Sequence, residues 1–107
     1  MKRNIARNAV AMHNRAEEAA SLLKTLANPQ RLRVLCLLAS GELSVGQINE
    51  ALPDLSQSAL SQHLARLRDE GMVRTRRESQ TIWYTLAPGP AERVIETLYG
   101  IYCGAGG

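Results

Sequence analysis

The chain has 107 residues, enough for one domain with one modest core. Aromatic residues make up 4% and Phe is absent, so the interior must be built from Leu, Ile, Val and Ala, which favours helices. A net charge of +3 and a pI near 9.2 permit an anionic partner without demanding one. No apolar run is long enough to cross a membrane, and the basic start MKRN is followed by no apolar signal core, so a cytoplasmic chain with reduced thiols is expected.

Residues 1–13, with Lys2, Arg3 and Arg7 among scattered apolar positions, read as an N-terminal arm or an early helical turn. Asn14 and Glu17 resemble a capping box, and Ala19, Leu22, Leu23 and Leu26 continue a helical stripe. Its apolar face is too thin to stand alone and calls for another helix or another subunit. Asn28-Pro29 is a cap followed by proline at the first helical position, which starts a second helix running to about Ser40. Leu32, Leu35, Cys36, Leu38 and Ala39 are its expected inward face, and Gly41 ends it. Ser44 and Gln47 fit an S-x-x-Q capping box, with Leu43 and Ile48 placed as its hydrophobic staple. This third helix must be short, because Pro53-Asp54 forces a turn.

The stretch Leu55–Met72, LSQSALSQHLARLRDEGM, organises the rest. Ser56 is an N-cap, Leu55 and Leu60 can pack as a staple, and Leu60, Leu64 and Leu67 make an apolar stripe. Gly71 supplies the left-handed stop, ending the helix at about Glu70. The polar face carries Gln57, Ser58, Ser61 and Gln62, then Arg66 and Arg68. Short hydrogen-bonding side chains ahead of arginines suit a helix laid in a DNA major groove, the former at base edges and the latter on phosphates. Taken alone, it is as much an ordinary amphipathic surface helix; its neighbours decide. A short helix, a tight turn and this helix make a helix-turn-helix.

After Gly71 the period changes from 3.6 to 2. Met72–Arg76 and Thr81–Leu86 read as two strands joined around Glu78-Ser79, with Ile82, Tyr84 and Leu86 on one face and Trp83 and Thr85 on the other. Five of the thirteen basic residues (Arg66, Arg68, Arg74, Arg76 and Arg77) fall within twelve positions. A hairpin carrying Arg74, Arg76 and Arg77 beside a recognition helix is a wing, placed to meet the flanking phosphates or the minor groove; a hairpin that only covers the core needs no such arginines. Pro88-Gly89-Pro90 ends it, and a last helix, about Ala91–Cys103, shows Val94, Ile95, Leu98 and Ile101 as an apolar face. Residues 104–107 read as a loose tail. The expected architecture is one winged helix-turn-helix domain over 1–107, mainly α with a two-stranded wing, in the order α-α-α-α-β-β-α.

That order, with LSQSALSQHLARLRDEGMV at its centre, resembles the ArsR family of winged-helix repressors. The likeness runs from about Ala16 to Cys103, and the S-x-H-L-x-x-L core around His63 is specific. It implies a homodimer held by the first and last helices, reading a palindromic operator on double-stranded DNA through successive major grooves, half-sites about 10 bp apart. Carried onto this sequence, the base-reading positions are Gln57, Ser58, Ser61, Gln62 and His63, with Arg66, Arg74, Arg76 and Arg77 on the backbone.

Many members of that family sense metals, and here the sequence departs from them. Ser44 and Gly46 stand where one frequent pattern has two cysteines. The last helix offers Glu92 and Glu96 without a histidine, and His13 and His63 have no ligand at the needed spacing. Hard carboxylates alone are a poor zinc site, so neither metal nor cofactor is expected.

Cys36 and Cys103 remain. RLRVLCLLASGELSVGQI and TLYGIYC are similar to the branch that senses persulfides and oxidants (the SqrR, BigR and HlyU type). That likeness implies an intramolecular disulfide or polysulfide bridge between the two cysteines that changes DNA affinity, with a reactive sulfur species or oxidant as effector. The alternative for Cys36 is a small buried hydrophobe, and for the whole chain a winged-helix repressor with inert thiols and another effector or none. An enzyme reading, a thiol oxidoreductase, fails for want of C-x-x-C or any catalytic cluster in its place. A dimeric scaffold or nucleoid protein would leave the polar recognition face unspecific.

Overall fold

The computed structural model describes residues 5–104. Its elements, in chain order, are α1 (Ile5–Leu26), α2 (Pro29–Leu38), β1 (Leu43–Ser44), α3 (Val45–Ala51), α4 (Gln57–Asp69), β2 (Val73–Glu78), β3 (Thr81–Leu86) and α5 (Pro90–Cys103). The fold is mostly helical with a small antiparallel wing, a winged helix-turn-helix.

Local signals start most of these elements. Asn28 accepts from the backbone N–H groups of Gln30 and Arg31, both at 3.0 Å, and Pro29 opens α2. Ser44 Oγ accepts from Gln47 N–H at 3.2 Å while Gln47 Oε1 accepts from Ser44 N–H at 3.0 Å, the reciprocal box expected for α3. Ser56 Oγ accepts from Ala59 N–H at 3.0 Å at the start of α4. Gly71, at φ +73°, takes the left-handed conformation that lets the chain leave α4 and enter β2.

The core is one cluster in which Leu35, Ile48, Leu60, Leu64, Leu67 and Ile95 are the large side chains removed from solvent. Each is worth about 1.5–3 kcal/mol of transfer free energy. α2 sits centrally, packing on α1, α4, α5 and β3. The two helices of the helix-turn-helix are tied to α2 at their turn. There Arg33 Nη1 and Nη2 donate to Asp54 Oδ2 and Oδ1 at 2.7 and 2.9 Å.

Four expectations change. Asn14 and Glu17 do not cap a helix: both lie inside α1, which is already helical at Ile5. Good helix formers (Ala6, Arg7, Ala9, Ala11, Met12) carry the helix through the proposed arm, and an N-cap needs an extended backbone that an interior residue lacks. Residues 1–4 of that arm and 105–107 of the tail lie outside the described residues. In α2 the buried residues are Val34, Leu35 and Leu38, with Leu32 and Cys36 half-buried and Ala39 exposed beyond the helix end. A helix touching four neighbours has no single inward stripe. The wing gains a third strand, because Leu43 and Ser44 pair with Tyr84 and Trp83 in a sheet ordered β1-β3-β2. On α5, Ile95 is buried but Ile101 remains 65% exposed, so the far end of that helix leaves the core.

Candidate nucleic-acid interface

The apolar stripe of α4 faces the core, and this turns Gln57, Ser58, Ser61 and Gln62 outward. All four are exposed, and none has an intramolecular side-chain partner among the described residues. Their donors and acceptors are therefore available to base edges. Arg68 is likewise exposed, without an ion pair among the described residues.

His63 does not join them. It follows Leu60 by three positions and precedes Leu67 by four, which sets it on the flank of the apolar stripe rather than the outer face. The side chain is half-buried, and burial first, then the Arg31 guanidinium, lowers its pKa. The structure thus sets His63 on the flank of the stripe, apart from the four exposed residues. Arg66 is exposed but engaged: its Nε donates to Glu70 Oε2 at 2.5 Å. Glu70 also accepts from the hydroxyl of buried Thr25, and those hydrogen bonds hold its carboxyl below the usual range. Arg31 Nε donates to Thr25 O at 2.8 Å, so α1, α2 and the end of α4 are tied at one point.

The wing divides its arginines between faces. Strand register puts Arg74 opposite Thr85, Arg76 opposite Trp83 and Arg77 opposite Ile82. Arg74 and Arg76 share the outer face, while Arg77 belongs to the face of Val73 and Thr75, at the tip where the core no longer covers it. Arg74 and Arg77 are exposed without an ion pair among the described residues. Arg76 is not free. Its Nε and Nη2 donate to Glu42 Oε2 and Oε1 at 2.7 and 2.8 Å, and its guanidinium lies 5.5 Å from the Trp83 ring centroid. The sequence offers no local signal for this partner, which sits 34 residues away.

The two cysteines lie on helices that pack together, Cys36 on α2 and Cys103 as the last residue of α5. Both are free thiols, Cys36 half-buried and Cys103 exposed. Burial pushes the Cys36 thiol up, and the charge of Cys103 adds to the effect. Among the described residues no group of three His, Cys, Asp or Glu side chains could hold a metal ion, and no helix is long and apolar enough to cross a membrane. A cavity of about 550 Å³ opens between α1, the α4–β2 turn and the β3–α5 loop. Leu22, Met72, Ala87 and Pro88 line it beside the paired charges of Arg15 and Glu18.

The profile of the bacterial regulatory proteins of the arsR family matches residues 28–75, from the cap of α2 into the wing. The biofilm growth-associated repressor of Agrobacterium fabrum is 55% identical over 87% of this chain and 79% of its own length. The transcriptional activator HlyU of Vibrio cholerae is 49% identical over 92% of this chain and 90% of its own. The solved structure of reduced HlyU from Vibrio cholerae superposes with a TM-score of 0.81 at 49% identity, covering 87% of this chain and 97% of that one. This chain therefore belongs to the arsR family of bacterial regulatory proteins, as a winged helix-turn-helix, DNA-binding transcriptional regulator and not an enzyme.

Proposed function

We propose that the chain acts in the cytoplasm as a homodimeric repressor on a palindromic operator, and that a bridge between Cys36 and Cys103 switches its DNA affinity. The observation that carries the switch is the placement of the two thiols on the packed helices α2 and α5, close enough for the charge of one to bear on the other.

The chemistry follows from their difference. Exposed Cys103 is the thiol a reagent reaches, whereas burial keeps Cys36 protonated to higher pH. The Cys103 thiolate attacks the central sulfur of an organic trisulfide, R–S–S–S–R, forming Cys103–S–S–S–R and releasing RS⁻. The Cys36 thiolate then attacks the central sulfur of Cys103–S–S–S–R and displaces the second RS⁻. The product is Cys36–S–S–S–Cys103, two thiols oxidised and one polysulfide reduced to two thiolates. A retained sulfur also relaxes the distance limit of a direct disulfide, whose Cα atoms must lie within about 7 Å.

The dimer reading is supported by apolar surface at the two helices outside the core. Ile5, Val10 and Met12 of α1 and Tyr99, Ile101 and Tyr102 of α5 are exposed. A bridge that shifts α5 against α2 would reset the spacing of two recognition helices in such a dimer. Relatives named an activator and a repressor share this fold. Repression is the simpler outcome of occupying an operator.

The test compares wild type with Cys36→Ser and Cys103→Ser before and after an organic polysulfide, by duplex binding and mass spectrometry. Both variants should bind DNA and ignore the donor, and wild type should gain a bridge within one chain. A variant that responds like wild type overturns the switch. That result would favour the alternative, inert thiols with another effector or none; the cavity beside Leu22 and Met72 offers an organic effector a place. A monomer at micromolar concentration by analytical ultracentrifugation overturns the dimer.

A further inference from the structure

The outer face of the three-stranded sheet carries a chain of contacts that crosses all three strands. Arg76 on β2 and Ser44 on β1 are both paired across from Trp83 on β3, so the three side chains share a face. Glu42 lies two residues before Ser44, on the loop that enters α3. From β2 the Arg76 side chain passes over the Trp83 ring and closes on both oxygens of Glu42. Its Nη1 also lies 3.8 Å from Glu78 Oε1. The indole Nε1 of Trp83 is buried and makes no hydrogen bond, so packing and the guanidinium above it locate the ring.

This contact joins the two halves of the DNA-binding surface. One end is the wing hairpin; the other is the residue pair ahead of Ser44, the N-cap of the first helix of the helix-turn-helix. β1 contributes only Leu43 and Ser44 to the sheet, and Val73 and Tyr84 anchor the base of the hairpin in the core, so the exposed part of the wing beyond them has few other ties to the helix-turn-helix. A bidentate carboxylate–guanidinium pair has a fixed planar geometry and holds that part in place.

We propose that Glu42, Arg76 and Trp83 form a clasp that sets the angle of the wing against the recognition helix. Glu42 and Trp83 are positioning residues for DNA recognition, and Arg76 serves the clasp rather than a backbone phosphate. The inference rests on the DNA-binding assignment and extends it to residues that need not touch DNA. Arg74, Arg77 and Arg68 are then exposed arginines without an ion pair among the described residues, open to phosphates.

Charge-conserving variants test this without changing long-range electrostatics. Arg76→Lys keeps the cation but loses the fork, and Glu42→Asp keeps the anion but shortens the reach. Trp83 is the one tryptophan of the chain, so its emission reads the clasp directly. The binding probes are a duplex selected by wild-type protein from a random-sequence pool and a scrambled duplex of the same length. Both variants should red-shift Trp83 emission and weaken binding to the selected duplex about five- to tenfold. They should leave the scrambled duplex within about twofold and the salt slope within about 0.3 of wild type, since no phosphate contact is lost. Arg77→Ala, in contrast, should keep the emission and lower the slope by about 1.

Charge-conserving variants that match wild type in emission and affinity overturn the proposal. So does an Arg76→Gln variant whose slope falls by about 1, because Arg76 would then be a phosphate contact. Wild-type protein that binds neither duplex breaks the DNA-binding assignment instead, and the emission shift still tests the clasp by itself.

Discussion

The recognition helix and the wing each carry an arginine expected on DNA that a carboxylate already holds, and the two pairings differ in reach. Arg66 and Glu70 are one helical turn apart on α4, an exposed pair of the kind worth about 0.3–0.5 kcal/mol. Glu70 keeps the Thr25 hydroxyl if Arg66 swings away, so a DNA phosphate could recruit Arg66 at little cost. Arg76 and Glu42 are 34 residues apart, and each supplies both atoms of a fork. Releasing Arg76 would strip Glu42 of its hydrogen-bond partner and uncover Trp83. A local pair decorates an element that folds without it; a distant pair fixes how two elements lie together.

The same contrast separates what lies under each region, and it can be tested from the largest effect downward. Leu64, 2% exposed beneath α4, should cost about 2–5 kcal/mol on Leu64→Ala, read by urea unfolding. Ile82 on the wing is 37% exposed, and Ile82→Ala should change stability by no more than about 0.5 kcal/mol. Equal losses would mean that the outer wing, too, is anchored by burial, and would remove the need for a clasp.

Gln62→Ala should lower affinity for a selected duplex by roughly 1–3 kcal/mol and relax base preference, measured by competition against single-base variants. A loss shared equally by every duplex would move Gln62 to the phosphates and leave the reading of bases elsewhere. Ser56→Ala removes the cap of α4 and should cost about 1 kcal/mol in thermal or urea unfolding. An unchanged midpoint would show that tertiary packing alone starts the helix.

The smallest effect concerns Asp54, whose carboxyl Arg33 and its own backbone N–H hold down to about 2, against an ordinary value of 3.8. A depressed folded-state pKa contributes stability that is present above about 3.8 and lost as pH falls toward about 2. Asp54→Asn should therefore flatten the stability–pH curve in that acid window and leave the slope at neutral pH unchanged. The group is solvent-exposed, so screening keeps the effect modest.

Features encoded within a few residues are legible in the sequence alone. Ser44 with Gln47, Ser56 with Ala59, Gly71 and the stripe of Leu60, Leu64 and Leu67 each depend on neighbours one turn away. The outward set Gln57, Ser58, Ser61 and Gln62 follows from that stripe. His63 is a different case: the family signature points to a DNA contact, whereas its spacing from Leu60 and Leu67 puts it on the inner flank, where it lies. Asn14 misleads because a capping pattern carries no information about whether the helix has already begun upstream. Val34 takes the place of Ala39 in the core because α2 meets partners on several sides, which no single periodicity encodes. The strand at Leu43–Ser44 and the partner of Arg76 depend on chain segments brought together from more than thirty residues away. No local pattern announces such a meeting.

The strand order β1-β3-β2 leaves β2 as the long free edge of the sheet, since β1 is only two residues. An open edge invites another chain to add to it, and charged side chains are one way such edges are kept from self-pairing. Arg74, Arg76, Arg77 and Glu78 all lie on this edge strand. The charges of the wing thus also guard this edge against pairing with another sheet. Variants made blind to DNA by placing Val or Thr at Arg74 and Arg77 would open that edge to aggregation, whereas Gln at the same positions would leave it guarded.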